Sequence, residues 1–401
     1  MYGLRDAAQN WESEYIEFMS EIKFPRGAAT PCMSWHAERE LRFVVHGDDF
    51  TILGYLDQHI WFRKHMESRY DIKYRGHIGS QKDDEKSIIM LNRIVEWTDE
   101  GVVYNSDQRH ADIIVRYLGL GKANGVVTPG EKKHDKVSSE LDPSQATQYR
   151  AWVARGIVLA QDRSDIAYSV KDLSREMSNP DDSDGVVLKR LGRNLVIPRR
   201  YQTWFAYQSG VSELTIWSDS DYAGCVRTRK STRGGIALLG VHCITSWSTT
   251  QGVVAMSSGE AEFYAMVKGS CMGIGLKSLM RDMGIRLGIR DKTDASAAKG
   301  IANRTGLGKV RHVEVKPLWL QYHVSNGKMH RQRVKTGENR AYAMTKYLNR
   351  EGIGRRMEGI DSNSNRRRHE LSPEVSKTES DKEASMVIRR ASSAIHLQWK
   401  Q

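Results

Sequence analysis

Cysteine and long apolar runs are scarce in this chain of 401 residues. Its four cysteines, Cys32, Cys225, Cys243 and Cys271, have neither C-x-x-C spacing nor a neighbouring histidine pattern, which argues against a zinc site and against structural disulfides. No apolar segment approaches the roughly 20 residues that a membrane span needs, and the N-terminal segment 1–6 lacks a signal-peptide core. We therefore expect an intracellular protein, in the cytoplasm or nucleus, with no membrane and no disulfide partner.

The overall composition is that of a globular protein with a basic excess. Hydrophobic residues make up 39% and charged residues 27% of the chain, which are ordinary values for folded domains. The length is sufficient for two or three domains, each with its own core. A net charge of +12 favours a polyanionic partner, of which nucleic acid is the most obvious.

Three acidic segments of the C-terminal half can bring carboxylates to one point. Segment 215–221 is an alternating apolar run that ends in acid, segment 257–265 opens a helix, and segment 292–298 is a short strand that runs into a second helix. A single acid in such a segment is more often a solvated surface group. A cluster of them would repel itself unless cations lie within it, and hard oxygen ligands suit Mg²⁺. Two such ions can activate water and stabilise the leaving oxygen of a phosphodiester.

The order of the surrounding motifs resembles the ribonuclease H domain of copia-type retrotransposon Pol polyproteins. The motifs are WSDSDYAG, RKSTRGG, SWSTTQ, MSSGEAEFYAM, TDASAAKGIAN, RHVEV and NRAYAMTK. The resemblance implies that Asp219, Glu262 and Asp294 are the catalytic, metal-binding carboxylates, with Asp221 a lower-ranked alternative to Asp219. It also implies two Mg²⁺ ions and cleavage of the RNA strand of an RNA–DNA hybrid.

One position departs from the family pattern. The family ends this domain with N-x-A-D-x-x-T-K, whose aspartate completes the metal site, whereas this chain has Tyr342 at that position. A neutral phenol, with a pKa near 10, replaces a charged ligand poorly. We expect weakened binding of the second Mg²⁺ and reduced cleavage.

An earlier segment resembles the metal-binding turn of a reverse transcriptase palm. Residues 41–54 predict two strands joined by a tight turn that presents Asp48 and Asp49, although acids at a turn are also ordinary turn chemistry. The sequence HGDDF at this turn and the opening MYGLRDAAQNW are similar to the corresponding copia-type stretches. The family's first palm aspartate precedes the segment that this chain contains, so we expect a polymerase remnant without self-sufficient polymerase activity.

The remaining assignments follow from periodicity and from the resemblance. The predicted fold class is α/β: an α+β palm and thumb remnant, followed by a ribonuclease H-like mixed five-stranded sheet with flanking helices. The predicted domains are 1–128 (palm and thumb), 129–208 (linker and helical connection), 209–348 (ribonuclease H-like) and 349–401 (disordered tail). Asp165 is the expected N-cap of a connection helix, and Ser257 with Glu260 forms a capping box. Predicted phosphate contacts are Arg227, Arg229, Lys230 and Arg233.

Two functions are consistent with this sequence. The first is a Pol fragment with a ribonuclease H-type endonuclease, weakened by Tyr342. The alternative is a degenerate, non-catalytic copy that only binds nucleic acid, and the affinity for Mg²⁺ discriminates between them.

Overall fold

The computed structural model of the protein describes residues 5–132, 138–197, 200–308, 312, 318–360, 362–365 and 369–372. The helices are α1 Ala7–Glu21, α2 Leu56–Arg69, α3 Arg109–Tyr117, α4 Pro143–Leu159, α5 Ala167–Ser174, α6 Asp182–Val196, α7 Ser258–Asp282, α8 Ser296–Asn303, α9 Trp319–Ser325 and α10 Arg350–Glu358. The strands are β1 Met33–His36, β2 Leu41–His46, β3 Asp49–Leu53, β4 Ser87–Met90, β5 Arg93–Thr98, β6 Gly101–Asn105, β7 Arg200–Ala206, β8 Glu213–Asp221, β9 Thr232–Leu239, β10 His242–Thr250, β11 Gly288–Thr293, β12 His330–Arg333 and β13 Ser362–Asn365.

The C-terminal sheet has the mixed five-stranded arrangement that the sequence predicts. Its strand order is β10-β9-β8-β11-β12. Strands β8, β9 and β10 pair antiparallel, whereas β11 pairs parallel with both β8 and β12. The central strand β8 is buried because Leu214 and Ile216 are apolar and nearly inaccessible. The predicted α/β class is confirmed.

Helix α7 packs unusually close to the central strand. A Cβ atom added at Gly269 or Gly273 would lie 3.0 Å from a side-chain carbon of Ile216, so these two glycines permit the close approach. The hydroxyl of Ser257 accepts a hydrogen bond from the Glu260 amide at 3.2 Å. Glu260, however, accepts from the Met256 amide at 3.0 Å, so the reciprocal half of the predicted capping box is not formed as expected.

The N-terminal residues form a small module around an aromatic core. Strands β1, β2 and β3 make an antiparallel sheet, on which α1 and α2 pack through a cluster that includes Phe18, Phe24, Phe43 and Phe62. Strands β2 and β3 pair His46 with Asp49, which leaves a two-residue turn. Gly47 at that turn has φ +66°, a conformation that glycine adopts at little steric cost. The predicted hairpin is therefore present.

The third sheet runs through segments that the sequence assigns to different domains. Its order is β13-β7-β6-β5-β4. The segment 129–208, predicted as linker and helices, thus also contributes strand β7. The prediction of a disordered tail from residue 349 is wrong for α10 and β13, because α10 is capped by the Asn349 side chain at 2.8 Å from the Gly352 amide and anchored by buried Met357 and Ile360. Residues 373–401 lie outside the described residues.

The connection helices form their own core. Helices α3, α4, α5 and α6 share a cluster that includes Ile114, Val153, Leu173 and Leu191. The predicted N-cap role of Asp165 is wrong: a 3-10 turn precedes α5, and the Asp165 carboxylate accepts from the buried Arg163 guanidinium at 2.7–2.8 Å. Within the described part of the chain, no helix combines the length and hydrophobicity that a membrane span requires.

The buried end of α10 provides a test of its structural role. Ile360 is fully buried in a cluster with Trp217, Ile236 and Leu238 on one face of the C-terminal sheet. Ile360→Ala should lower the free energy of unfolding by about 2–5 kcal/mol, the usual range for removing such a core side chain, as measured by urea denaturation. The matched control is Glu358→Ala, an exposed residue two positions earlier at the end of α10, which should change stability by less than about 0.5 kcal/mol. Equal effects would contradict the packing of this segment.

Candidate metal centre

Three carboxylates from three elements meet at the end of the central strand. Asp219 lies on β8, Glu262 in the second turn of α7, and Asp294 directly after β11. One oxygen of each lies within 4.8 Å of the others. Within the described residues, this is the only cluster of three or more potential metal ligands with such spacing. The parallel pairing of β8 and β11 explains why the two aspartates meet, because it brings the carboxyl ends of both strands to the same edge.

Asp221, the alternative to Asp219, is directed elsewhere. Its carboxylate accepts hydrogen bonds from the backbone amide of Thr232 and, at 3.0 Å, from the Thr232 hydroxyl. Those contacts hold it against the neighbouring strand β9. Asp219 is therefore the acid of β8 that faces Glu262 and Asp294.

Two uncharged residues hold Asp219 in place. The Asn339 amide nitrogen lies 3.0 Å from the Ser218 carbonyl oxygen, 3.2 Å from Asp294 Oδ1 and 3.5 Å from Asp219 Oδ1. The Thr345 hydroxyl donates to Asp219 Oδ2. Asn339 and Thr345 are fully buried, so these contacts are shielded from water. Neither residue was singled out from the sequence as part of the site, although both belong to the motif NRAYAMTK.

Burial and mutual repulsion raise the pKa values of two of these acids. Burial raises the pKa of Asp219 to about 6, against the hydrogen bond from Thr345 and the charge of Lys346, which lower it. Burial also raises the pKa of Glu262 to about 9, with further increases from the charges of Asp219 and Asp294. Glu262 Oε2 is buried and has no hydrogen-bond partner among the described residues. A buried carboxylate oxygen without a partner, beside two other acids whose charges repel it, makes these three residues a candidate cation site.

Tyr342 lies in a short 3-10 turn, Arg340–Met344. Its ring is flanked by two cations, with Lys346 Nζ 4.1 Å and the Arg356 guanidinium carbon 5.5 Å from the ring centroid. Its backbone carbonyl lies 3.1 Å from the Thr345 hydroxyl. Positive charge therefore accompanies the tyrosine where the family pattern has an acid.

Glu260 belongs to a neighbouring contact. Its Oε2 atom lies 2.8 Å from His312 Nε2, and its side chain is only 2% exposed. Glu260 thus connects the start of α7 to His312.

Among the described residues, the turn that carries Asp48 and Asp49 does not form a metal centre of this kind. Asp48 and Asp49 are exposed, and Asp49 lies 3.4 Å from Arg75. No third acid joins them at ligand distance within the part of the chain that the structure describes.

Three of the four predicted phosphate contacts lie in one loop, and the fourth lies on a strand. Arg227 and Arg229 are exposed in the β8–β9 loop, although Arg227 also pairs with Glu176 at 3.0 Å. Lys230 is partly exposed. Arg233 instead lies on β9, where its Nε donates to the Thr249 hydroxyl at 3.1 Å. The loop residues remain the more accessible donors.

The similarities to known proteins agree with the fold and the motifs. The chain is 24% identical over 390 residues, 90% of its length, to the retrovirus-related Pol polyprotein from transposon TNT 1-94 of Nicotiana tabacum. It is 25% identical over 358 residues, 87% of its length, to that from transposon RE1 of Arabidopsis thaliana. It spans about a quarter of the length of these relatives, 28% and 24% respectively. No family model matches the chain.

Among solved structures, the chain is similar to the foamy viral protease-reverse transcriptase in complex with RNA/DNA hybrid, with a TM-score of 0.45 and 10% identity, over 84% of this chain and 39% of that one. The fold and the carboxylate cluster define an α/β protein with a candidate metal centre at the edge of a mixed sheet. The homologues of the chain are copia-type, retrovirus-related Pol polyproteins of transposons, as predicted.

The raised pKa values predict how metal-free stability depends on pH. Between the ordinary glutamate pKa and about 9, the folded protein retains a proton on Glu262 that the unfolded chain releases, so the free energy of unfolding falls as pH rises through that window. Glu262→Gln should flatten this fall, as measured by thermal melting in EDTA from pH 5 to 9. The exposed control Glu358→Gln should keep the native slope. A native slope in Glu262→Gln would contradict the repulsive cluster.

Proposed function

We propose that the chain is a retrotransposon Pol fragment whose ribonuclease H-like domain hydrolyses the RNA strand of RNA–DNA hybrids. The observation that carries this proposal is the convergence of Asp219, Glu262 and Asp294, with an oxygen of Glu262 left unsatisfied. Three carboxylates at the edge of a mixed sheet repel one another, and carboxylate oxygens are the ligands that a hard divalent cation prefers. The copia-type relationship supports the same reaction.

Mg²⁺ fits the donors of this site. Asp219, Glu262 and Asp294 would hold it, and the buried, unpartnered Glu262 oxygen is the kind of atom that a cation would satisfy. When bound, the metal supplies the charge that activates water and stabilises the leaving oxygen of a phosphodiester.

The residues of the chain orient the carboxylates of the site. Asn339 and Thr345 fix both oxygens of Asp219, so this carboxylate has little freedom to rotate. The Asn339 amide also bridges Asp219 to Asp294 at 3.5 and 3.2 Å. A preorganised arrangement of this kind needs no rearrangement when substrate binds. Such preorganisation is the main source of electrostatic catalysis in proteins. Phosphate contacts from the exposed loop arginines would position the hybrid without reading its sequence, while its groove shape and 2′-hydroxyls would distinguish it from DNA.

Tyr342 limits the proposed activity. A phenol at the position of the family's fourth acid leaves the second Mg²⁺ one charged ligand short, so we infer weakened binding of that ion and slower cleavage. We also infer no self-sufficient polymerase activity, since Asp48 and Asp49 have no third acid beside them among the described residues.

A second candidate is a non-catalytic copy that only binds nucleic acid. The observation that favours it is the pair of cations, Lys346 and Arg356, on the ring of Tyr342. Positive charge at that place opposes a second metal ion and attracts phosphate.

Cleavage of a labelled RNA–DNA hybrid tests the proposed reaction. The native chain should cleave slowly with Mg²⁺, Tyr342→Asp should cleave about tenfold or more faster because one charged ligand is restored, and Asp294→Asn should be inactive. The tenfold gain corresponds to a decrease of about 1.4 kcal/mol in the activation free energy. Product formation is followed on denaturing gels.

The control for the tyrosine change is Tyr322→Asp, which alters a tyrosine that is 61% exposed on α9 and should leave the rate unchanged. If neither the native chain nor Tyr342→Asp cleaves the hybrid, the enzymatic proposal is wrong and the binding-only candidate remains.

Stabilisation by Mg²⁺ separates the two candidates without an activity assay. If the carboxylates hold the ion, Mg²⁺ at about 100 times its Kd should add about 2.7 kcal/mol to the free energy of unfolding, as measured by chemical denaturation at pH 8. Asp294→Asn should lose most of this gain. Equal gains in both proteins would exclude the carboxylate cluster as the binding site.

A further inference from the structure

Helix α10 brings an arginine to the carboxylate centre from outside the motifs that resemble the family. An Arg356 Nη1 group donates a hydrogen bond to the Asn339 backbone carbonyl. The side chain of the same asparagine contacts Asp294 at 3.2 Å and Asp219 at 3.5 Å. Arg356 is thus linked through Asn339 to two of the three carboxylates.

The guanidinium is held beside the acids without being bound to them. Among the described residues, no nitrogen of Arg356 lies within ion-pair distance of Asp219 or Asp294. Its charge is nevertheless attracted by both carboxylates, although burial lowers the pKa of Arg356 overall. The Tyr342 ring, 5.5 Å from the guanidinium carbon, supports it from one side through a cation–π contact.

Most of the hydrogen-bonding capacity of Arg356 is uncommitted within the described part of the chain. A guanidinium carries five N–H donors in a fixed plane, and one of them is engaged here. Arginine remains protonated in proteins, and its paired N–H groups match two oxygens of a phosphate. A half-buried arginine next to a phosphodiester-cleaving centre therefore has a clear chemical partner.

We propose that Arg356 binds a phosphate of the RNA–DNA hybrid at the carboxylate centre, with its guanidinium on the side that Tyr342 occupies. This inference rests on the proposed function, because it assigns a substrate contact to the same site. It also gives the tyrosine a role. The ring holds Arg356 and Lys346, so the position that carries an acid in the family here organises positive charge for the substrate backbone.

The experiment measures hybrid binding in EDTA, where no cleavage occurs, by fluorescence anisotropy of a labelled RNA–DNA hybrid over a range of KCl concentrations. Loss of one phosphate contact should weaken binding about tenfold and reduce the salt slope by about one. We expect both effects in Arg356→Gln and in Arg356→Met, which retains the aliphatic stem against Tyr342. Arg356→Lys should keep the native salt slope because it keeps the charge.

The matched control is the neighbouring Arg355→Gln. Arg355 has a side chain that is 69% exposed and pairs with Glu351 at 2.8 Å, so its removal should leave both the affinity and the salt slope unchanged. Thermal melting of every variant identifies any that do not fold. If Arg356→Gln or Arg356→Met does not fold, the other still tests the loss of the charge.

Three results would overturn the inference in distinguishable ways. If the native protein does not bind the hybrid, the proposed function falls together with the phosphate contact. If it binds and the uncharged variants keep the native salt slope, only the role of Arg356 is wrong. If Arg356→Lys, Arg356→Gln and Arg356→Met all lose affinity while the salt slope of all three stays at the native value, Arg356 acts on Asn339 as a positioning residue instead.

Discussion

Repulsion between three acids at the end of the central strand is the constraint around which the C-terminal domain is arranged. Asp219 is 2% exposed, so it cannot rely on water to stabilise its charge, and two further carboxylates lie beside it. Such groups either retain protons or acquire compensating partners. The Asn339 amide, the Thr345 hydroxyl and the charge of Lys346 all act in that direction. A bound divalent cation would complete the compensation.

The scaffold that forces these acids together is apolar and closely packed. Strand β8 lies at the centre of its sheet, and α7 approaches it through two glycines that contact Ile216. The opposite face is covered by a cluster that includes Met344, Met357 and Ile360. Packing on both faces restrains the strand, so that Asp219 stays close to Glu262. Burial of apolar side chains thus offsets the unfavourable electrostatics of the centre.

The local patterns of the sequence predict the elements that hold the carboxylates, because alternation and capping are short-range properties. The apolar positions before Asp219 predict β8, and Ser257 predicts the start of α7. The role of Asn339 could not be predicted, since it depends on contacts with β8 that are distant in sequence. Helix α10 was missed because its sequence is rich in charge, with only a few apolar positions to anchor it. The N-cap role predicted for Asp165 is wrong because α5 begins only at Ala167 and the Asp165 carboxylate accepts hydrogen bonds from the Arg163 guanidinium instead.

The third sheet has a consequence for how the chain folds. Its strands come from three separate parts of the sequence, with β7 lying between β6 and the late strand β13. The N-terminal hairpin and the β8–β9–β10 meander form from neighbouring segments and can assemble early, whereas pairing between distant segments requires the closure of long loops and is slow. During synthesis, the edge of β7 stays unpaired until residues 362–365 emerge. An exposed strand edge of that kind is a site of misassembly, so this sheet determines how long the nascent protein remains vulnerable to aggregation.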